Sequence, residues 1–341
     1  RNGDLLVATL AEDQQYRFPA DGLILPDKYI ETVLEYEDKR FYYHPGVDPL
    51  AIITAAWSNM FSGQRIRGAS TITMQVARLA DPKSRTYFNK LIESLMALRI
   101  TLHYSKEEVL KRYAAQVPMG GNLVGIQAAS YYYYGKPVKE LTWAEAALFT
   151  VIPNNPSMSN LQRNRALLLA KRNHLLNRLF KMGIIDASTY HLSLLEKLPD
   201  KKHKLPFTAP HFARWILNKD NKSRKIFTSL DVGIQKQVKN ATNLHYNTLL
   251  HQGIRNISVL VCDNKTGKIR AYIGSQSFSD STNGGQVDGV QAYRSTGSLL
   301  KPFLTACVLD RGPFTMKSCI QDVPTFYGTF LPQNADKGFT G

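Results

Sequence analysis

With 341 residues and a hydrophobic share of 43%, the chain has material for about two folded domains with real cores, which excludes a disordered polymer. Its 43 lysines and arginines against 27 acids leave a formal charge of +16, favouring an anionic partner: nucleic acid, anionic lipid or a phosphorylated substrate. Three cysteines, Cys262, Cys307 and Cys319, supply neither a disulfide framework nor a CxxC metal spacing and read as small core residues.

No apolar run reaches the roughly 18 residues of a membrane span. The chain opens on Arg1 and reads as a fragment, with any signal or anchor upstream. Between residues 28 and 62 the pattern predicts a helix ("DKYIETVLEYEDKR"), a polar and aromatic segment ("YEDKRFYYHPGVD"), then a second helix from Pro49. Ile30, Val33 and Leu34 recur at helical spacing and put Glu37 just past the buried stripe. "RIRGASTITMQVARLAD" reads as a Gly/Ser/Thr entry into a helix, and "YFNKLIESLMALRITLHYSKEEVLKRYAAQ" as strong helical pattern. "VPMGGNLVGIQAASYYYYGK" is glycine-rich, then helical. "ELTWAEAALFTVIPNNPS" reads as an amphipathic helix stopped by Pro153 and Pro156, and residues 161–181 as a helix with a basic face.

A Lys/Pro-rich joint, "KLPDKKHKLPFTAP", then breaks the helical run and suggests a boundary. After it, "ISVLVCDNKTGKIRAYIGS" reads as two strands joined by a hairpin turn at "DNKTGK". The expected organisation is a mainly helical domain over 1–196, a linker and connecting region over 197–250, and the start of an α+β domain over 251–341.

Several residues have the chemistry of a site. Glu37, at a helix end among aromatics, suits a general base, with a solvated helix-end acid as the alternative. Asp48 reads as the cap of the helix from Pro49. "GASTITMQ" offers backbone amides and hydroxyls at a helix start, a cradle for phosphate or sugar oxygens, although capping alone accounts for Ser70. Lys90 and Glu93 share a helix face, either as a surface ion pair or as a cation and acid lining a cleft. Ser298 and Lys301 in "GSLLKPF" stand three apart at a helix start, where the amine reaches the hydroxyl and activates it as a nucleophile.

In order, "EDKRFYYHPGVD", "GASTITMQVAR", "NKLIE", "PMGGNLVGIQAAS" and "LTWAEAALFTVIPNNPS" resemble the five motifs of peptidoglycan glycosyltransferases, the polymerase domains of class A penicillin-binding proteins. "YRSTGSLLKPF" continues the resemblance into a penicillin-binding transpeptidase domain, while "TMQVAR" and "APHFARW" look most like the 1C-type subgroup. The resemblance implies a multi-domain protein: a mainly α, lysozyme-like glycosyltransferase domain, then the N-terminal part of an α+β transpeptidase domain. A membrane-facing jaw is implied around 49–80, with Trp57, Met60 and Phe61 resting in the interface; a buried core helix is the alternative for Pro49–Phe61.

Carried over residue by residue, Glu37 matches the catalytic base and Glu93 the second essential acid. Asp38, Phe41 and His44 of the first motif, Gly68, Ser70, Thr71, Thr73, Gln75 and Arg78 of the second, Lys90 of the third, and Gly120 and Asn122 of the fourth match substrate-binding positions. Gln75, Arg78 and Lys90 among them match positions that handle pyrophosphate and sugar. A divalent cation, magnesium or manganese, is implied near Glu93, with no organic cofactor. Ser298 and Lys301 match the acylated serine and its lysine. The implied partners are lipid II, the growing glycan strand, the outer face of the cytoplasmic membrane (reached through an upstream single-span anchor) and other cell-wall synthesis proteins, with no nucleic acid.

The match departs from the family at Asn89, where arginine is usual, at Ala115 in "YAAQ", and at Met74, where the first of two glutamines is usual. After Ser298 neither an SxN triad nor a KTG strand follows, so this chain is expected neither to crosslink peptides nor to bind penicillin well; stoichiometric labelling of Ser298 by a fluorescent penicillin would contradict that. Two further readings stay open. One is a non-catalytic scaffold that binds lipid II; the other is a lysozyme-like glycan hydrolase, which would need a water held against the anomeric carbon.

Overall fold

The computed structural model describes residues 4–62, 70–84, 86–153, 164–200, 202–220, 225–334 and 336–339, without the side chains at 55, 56 and 58–62. Two compact units are present, Arg1–Val290 and Gln291–Gly341.

In the first unit, strand β1 (Tyr16–Arg17) precedes helix α1 (Asp27–Glu37), which follows Pro26 and carries Asp27 in its first turn, where an acid favours the helix dipole. The helix stops at Glu37: Asp38 leaves helical geometry at φ −159°, so the predicted continuation through Arg40 is replaced by a 3-10 turn at Phe41–Tyr43. Helix α2 (Pro49–Ser62) follows, and Asp48 Oδ1 accepts from Ala51 N at 3.0 Å, the expected cap. Helix α3 (Ile72–Ala80) is capped by Thr71 and α4 (Tyr87–His103) by Thr86. Helix α5 (Lys106–Gln116) opens with a full capping box between Ser105 and Glu108. Strand β2 (Leu123–Val124) pairs in parallel with β1 and leads into α6 (Ile126–Tyr134).

Helix α7 (Trp143–Val151) opens with a second capping box, Thr142 with Glu145, and every residue from Ala144 to Val151 is buried. It is therefore not amphipathic as the sequence suggested. Alanines at 144, 146 and 147 let α1, α8 (Arg165–Lys181) and α9 (Ala187–Leu195) pack around it on several sides. Phe149, Leu148, Leu168, Leu175, Leu176 and Leu179 form the centre of this helical core.

The same unit continues with α10 (Pro210–Lys219), α11 (Val232–Leu250) and an antiparallel hairpin, β3 (Val259–Cys262) with β4 (Ile269–Ile273). The hairpin turns where "DNKTGK" predicted. Asp263 Oδ1 accepts from the amides of Lys265 and Thr266, and Gly267 takes φ +65°. A smaller core of Ala209, Phe212, Leu230 and Tyr272 lies under this hairpin.

In the second unit a 3-10 turn at Gly297–Leu300 runs directly into α12 (Lys301–Arg311), and no described residue of the unit is buried. The cysteines are a correction. All three are exposed and free, Cys262 because it falls on the outward register of β3 and the other two because their unit encloses no core.

Candidate active site

The site is built where the end of α1 meets the start of α3. Glu37, the last residue of α1, is half-buried and accepts a hydrogen bond from Gln75 Nε2 at 2.8 Å. That bond joins residues 38 positions apart, and the next residue along anchors it. Asp38 receives His44 Nε2 at 3.0 and 3.1 Å on its two oxygens, while its Oδ2 also receives Ile72 N, the first amide of α3, at 3.0 Å. His44 Nδ1 accepts from Gly46 N at 3.2 Å, which leaves Nε2 as the nitrogen that donates to Asp38.

Three further hydrogen bonds close the segment. Thr71 Oγ1 donates to Gly46 O at 2.6 Å while capping α3. Gly46 sits at φ +98° with a would-be Cβ only 2.5 Å from Thr101 Oγ1, so α4 presses on a position that only glycine fits. Lys106 at the head of α5 donates to Phe41 O at 2.5 Å and His44 O at 2.6 Å. Burial holds the Lys106 ammonium below its ordinary pKa, with the Asp38 charge opposing that shift. Asp48 is the reverse case. Burial alone would raise its carboxyl, but the Ala51 amide and the Arg40 guanidinium, at 2.9 and 3.1 Å, bring it below the ordinary value.

Around Glu37 stand two buried phenols. Tyr29 and Tyr113 are both held well above the ordinary tyrosine range, by burial first and then by the Glu37 charge; Arg78 acts in the opposite sense on Tyr113. Both stay protonated at any working pH. On the other side of α3, Lys90 Nζ donates to Ser70 Oγ and stands 3.8 Å from Glu93 Oε2. Glu93 is mostly buried and its Oε2 has no hydrogen-bond partner, which sets it apart from a solvated surface pair. Ser70 is thus engaged by lysine, and capping of α3 falls to Thr71 instead.

The structure brings Glu37 and Gln75 together, and Ser70, Lys90 and Glu93 together, through α3 and its packing on α4. Five of the expected substrate-binding residues lie inside the fold. Asp38, Phe41, His44, Thr71 and Thr73 are all buried. The first, third and fourth are spent on the bonds just described, because a loop that must hold a carboxylate at a helix end consumes its polar groups internally. Gly68 lies outside the described residues, as do the side chains of Met60 and Phe61. Gly120 takes φ +96° in the turn before β2, and exposed Asn122 accepts from Tyr16 N at 2.8 Å. Ser298 and Lys301 are both exposed, one in the 3-10 turn and the other at the head of α12, with no hydrogen bond between them among the described residues.

Of the departures, Met74 points into the core at 1% exposure, so no site contact is lost there. Asn89 donates to Ser84 O at 2.8 Å and folds the segment before α4. Ala115 packs under Gly125, whose Cβ would lie 2.5 Å from Ala115 O.

Sequence reasoning missed Tyr29, Tyr113, Lys106 and Arg178. Tyr113 follows Val109 and Leu110 at helical spacing and so reads as ordinary core. Arg178 on α8 grips the last turn of α1, donating to Glu35 O at 2.6 Å and to Glu35 Oε1 at 2.5 and 2.8 Å. No local signal links two residues 143 positions apart.

Three carboxylate and imidazole groups, Asp38, His44 and Asp48, stand close enough to suggest a metal. They do not fit one: Asp38 is taken by His44 and Ile72, His44 by Asp38 and Gly46, Asp48 by Arg40 and Ala51. Glu93 fits better, since its buried oxygen lacks a hydrogen bond.

The helical unit thus presents one carboxylate at a helix end, held by Gln75, and a second beside a lysine. The family model described as Transglycosylase matches residues 3–180, and the chain belongs to that family. Penicillin-binding protein 1C of Escherichia coli (strain K12) is 37% identical over 329 residues, covering 96% of this chain and 42% of that protein. Penicillin-binding protein 1B of the same organism is 30% identical over 356 residues, covering 96% and 41%. Penicillin-binding protein 1F of Bacillus subtilis (strain 168) is 28% identical over 360 residues, covering 100% and 49%. The chain thus spans less than half the length of these relatives. A crystal structure of penicillin-binding protein 1A from Haemophilus influenzae aligns with a TM-score of 0.36 at 17% identity, covering 79% of this chain and 53% of that one.

Proposed function

We propose that the chain is a peptidoglycan glycosyltransferase that polymerises lipid II into β-1,4-linked glycan with release of undecaprenyl pyrophosphate. The observation that carries the reading is the Gln75–Glu37 bond at 2.8 Å, which ties the second motif to the first inside a family match over residues 3–180.

Glu37 takes the proton from the 4-hydroxyl of the incoming N-acetylglucosamine. The freed oxygen attacks the anomeric carbon of the N-acetylmuramic acid at the end of the growing strand, configuration inverts, and the pyrophosphate leaves with the C–O electron pair. Gln75 fixes the carboxylate, and the two protonated phenols beside it add no competing negative charge. Lys90 and Arg78 supply positive charge for the departing anion. Glu93, whose buried Oε2 accepts no hydrogen bond and stands 3.8 Å from Lys90 Nζ, would hold a divalent cation together with substrate phosphate; the ion when bound adds positive charge there.

The membrane reading of the jaw rests on exposed apolar surface. Leu50, Ile52, Ile53 and Trp57 of α2 are all exposed, Trp57 at 66%, against the buried-core alternative. Tyr87, Phe88, Leu91 and Leu95 extend that character along α4. No described helix is long and apolar enough to cross a membrane. We read 251–341 as the N-terminal part of an α+β transpeptidase domain, supported by the β3–β4 hairpin and the Ser298–Lys301 spacing.

The test is polymerisation of labelled lipid II in detergent with divalent metal. Long chains are expected, with about 10²–10⁴-fold less from Glu37→Gln at unchanged fold, the usual span for a general base. Lipid II binding without polymer would replace this reading with the scaffold, and shortening of finished glycan would replace it with the hydrolase.

A further inference from the structure

Away from that site, the start of α10, the middle of α11 and the 273–279 segment after β4 enclose a cleft of about 870 Å³, within the size range of ligand sites. Three lysines line it, Lys204, Lys236 and Lys239, and no carboxylate does. Among the described residues none of the three has an acid within ion-pair distance. Lys239 is half-buried and donates to Gln276 O, a neutral partner; its burial lowers the ammonium pKa with no acid opposing. A cation held out of water without a counter-charge invites an anion.

Two more features narrow the ligand. Gln276 Oε1 is buried with no hydrogen-bond partner, while its Nε2 donates to Asn243 Oδ1 at 3.0 Å, so the amide presents an unused acceptor. Phe207 and Phe278 pack edge to face at 5.4 Å between ring centroids and form an apolar wall. Inorganic phosphate would engage the lysines but leave that wall uncovered and most of the volume empty. A ligand that uses every feature has separated negative charges, an N–H donor and an apolar stem.

We propose that this cleft binds a short acidic peptide, with its carboxylates on Lys204, Lys236 and Lys239, an amide N–H on Gln276 Oε1 and its apolar part along Phe207 and Phe278. The site stands apart from the glycosyl-transfer reading, since none of these residues lies in the 3–180 family match.

Isothermal titration of the whole chain at low salt tests it, with Ac-Ala-Glu-Ala-Glu as probe, beside its neutral glutamine amide analogue and inorganic phosphate. Saturable binding of the acidic peptide is expected, at least about tenfold weaker for the neutral analogue and about tenfold weaker in Lys236→Gln/Lys239→Gln, as for truncated charge pairs. Because Lys239 is half-buried, Lys204→Gln/Lys236→Gln, at two exposed positions, repeats the test with little risk to folding. Lys139→Gln/Lys181→Gln loses the same charge elsewhere on the first unit and is expected to bind as the unmutated chain does. No saturable peptide binding, phosphate binding tighter than peptide, or equal loss in the Lys139/Lys181 variant would each overturn the proposal.

Discussion

Asp38→Asn separates a scaffold residue from a substrate contact. Asp38 is buried, and its Oδ2 receives both His44 Nε2 at 3.1 Å and Ile72 N at 3.0 Å, while Oδ1 receives His44 Nε2 at 3.0 Å. An asparagine that keeps its oxygen at the Oδ2 position retains both donors but points its NH2 at the His44 N–H. The imidazole cannot relieve this by changing tautomer, because Nδ1 is occupied by the Gly46 amide at 3.2 Å. Loss of charge on two bonds plus one donor-against-donor contact costs about 2–4 kcal/mol. For a unit spanning Arg1–Val290 the melting temperature falls by roughly 3–7 °C. Urea and thermal unfolding followed by circular dichroism read both values. If Asp38→Asn unfolds within ~0.5 kcal/mol of the unmutated chain and only raises KM for lipid II, Asp38 is a substrate contact after all and the scaffold argument fails.

Other outcomes follow from the same geometry. Arg178→Met leaves the buried Glu35 carboxylate with Lys39 alone and is expected to cost about 2–4 kcal/mol in urea unfolding, with much of it recovered in Glu35→Gln/Arg178→Met. Asp48 has a folded pKa below its ordinary 3.8, so its contribution to stability is complete above that pH and disappears as pH falls through the folded value. Asp48→Asn is accordingly less stable than the unmutated chain at pH 7, and the gap in urea midpoint narrows below about pH 4; a constant gap would contradict the assignment. Leu50→Ser/Trp57→Ser removes apolar surface from α2 and is expected to weaken sedimentation with anionic vesicles about tenfold or more at unchanged fold. Unchanged sedimentation would remove the jaw from the membrane.

Much of the candidate site is legible in sequence because its pieces are local. Glu37 at a helix end, Asp48 as a cap, and Lys90 with Glu93 on one helix face all follow from spacing within a turn or two. The direction in which those residues face is not local. Asp38, His44 and Thr71 look like ligand-binding groups in a polar motif, yet all three are buried; Thr71 and Asp38 join segments 25 and 34 positions apart, and His44 holds Asp38 in place.

The sequence by itself determined the helical character of the first 195 residues, the cap at Asp48, the hairpin at "DNKTGK" and the order of the five motifs, since all depend on nearest neighbours along the chain. Only the tertiary structure decided that α7 is buried on every side, that Arg178 grips the turn carrying Glu35, and that three lysines line one cleft with a glutamine whose Oε1 has no hydrogen-bond partner. The physical reason is the same in each case: burial and pairing belong to the packed surface opposite a residue, and that surface comes from elsewhere in the chain.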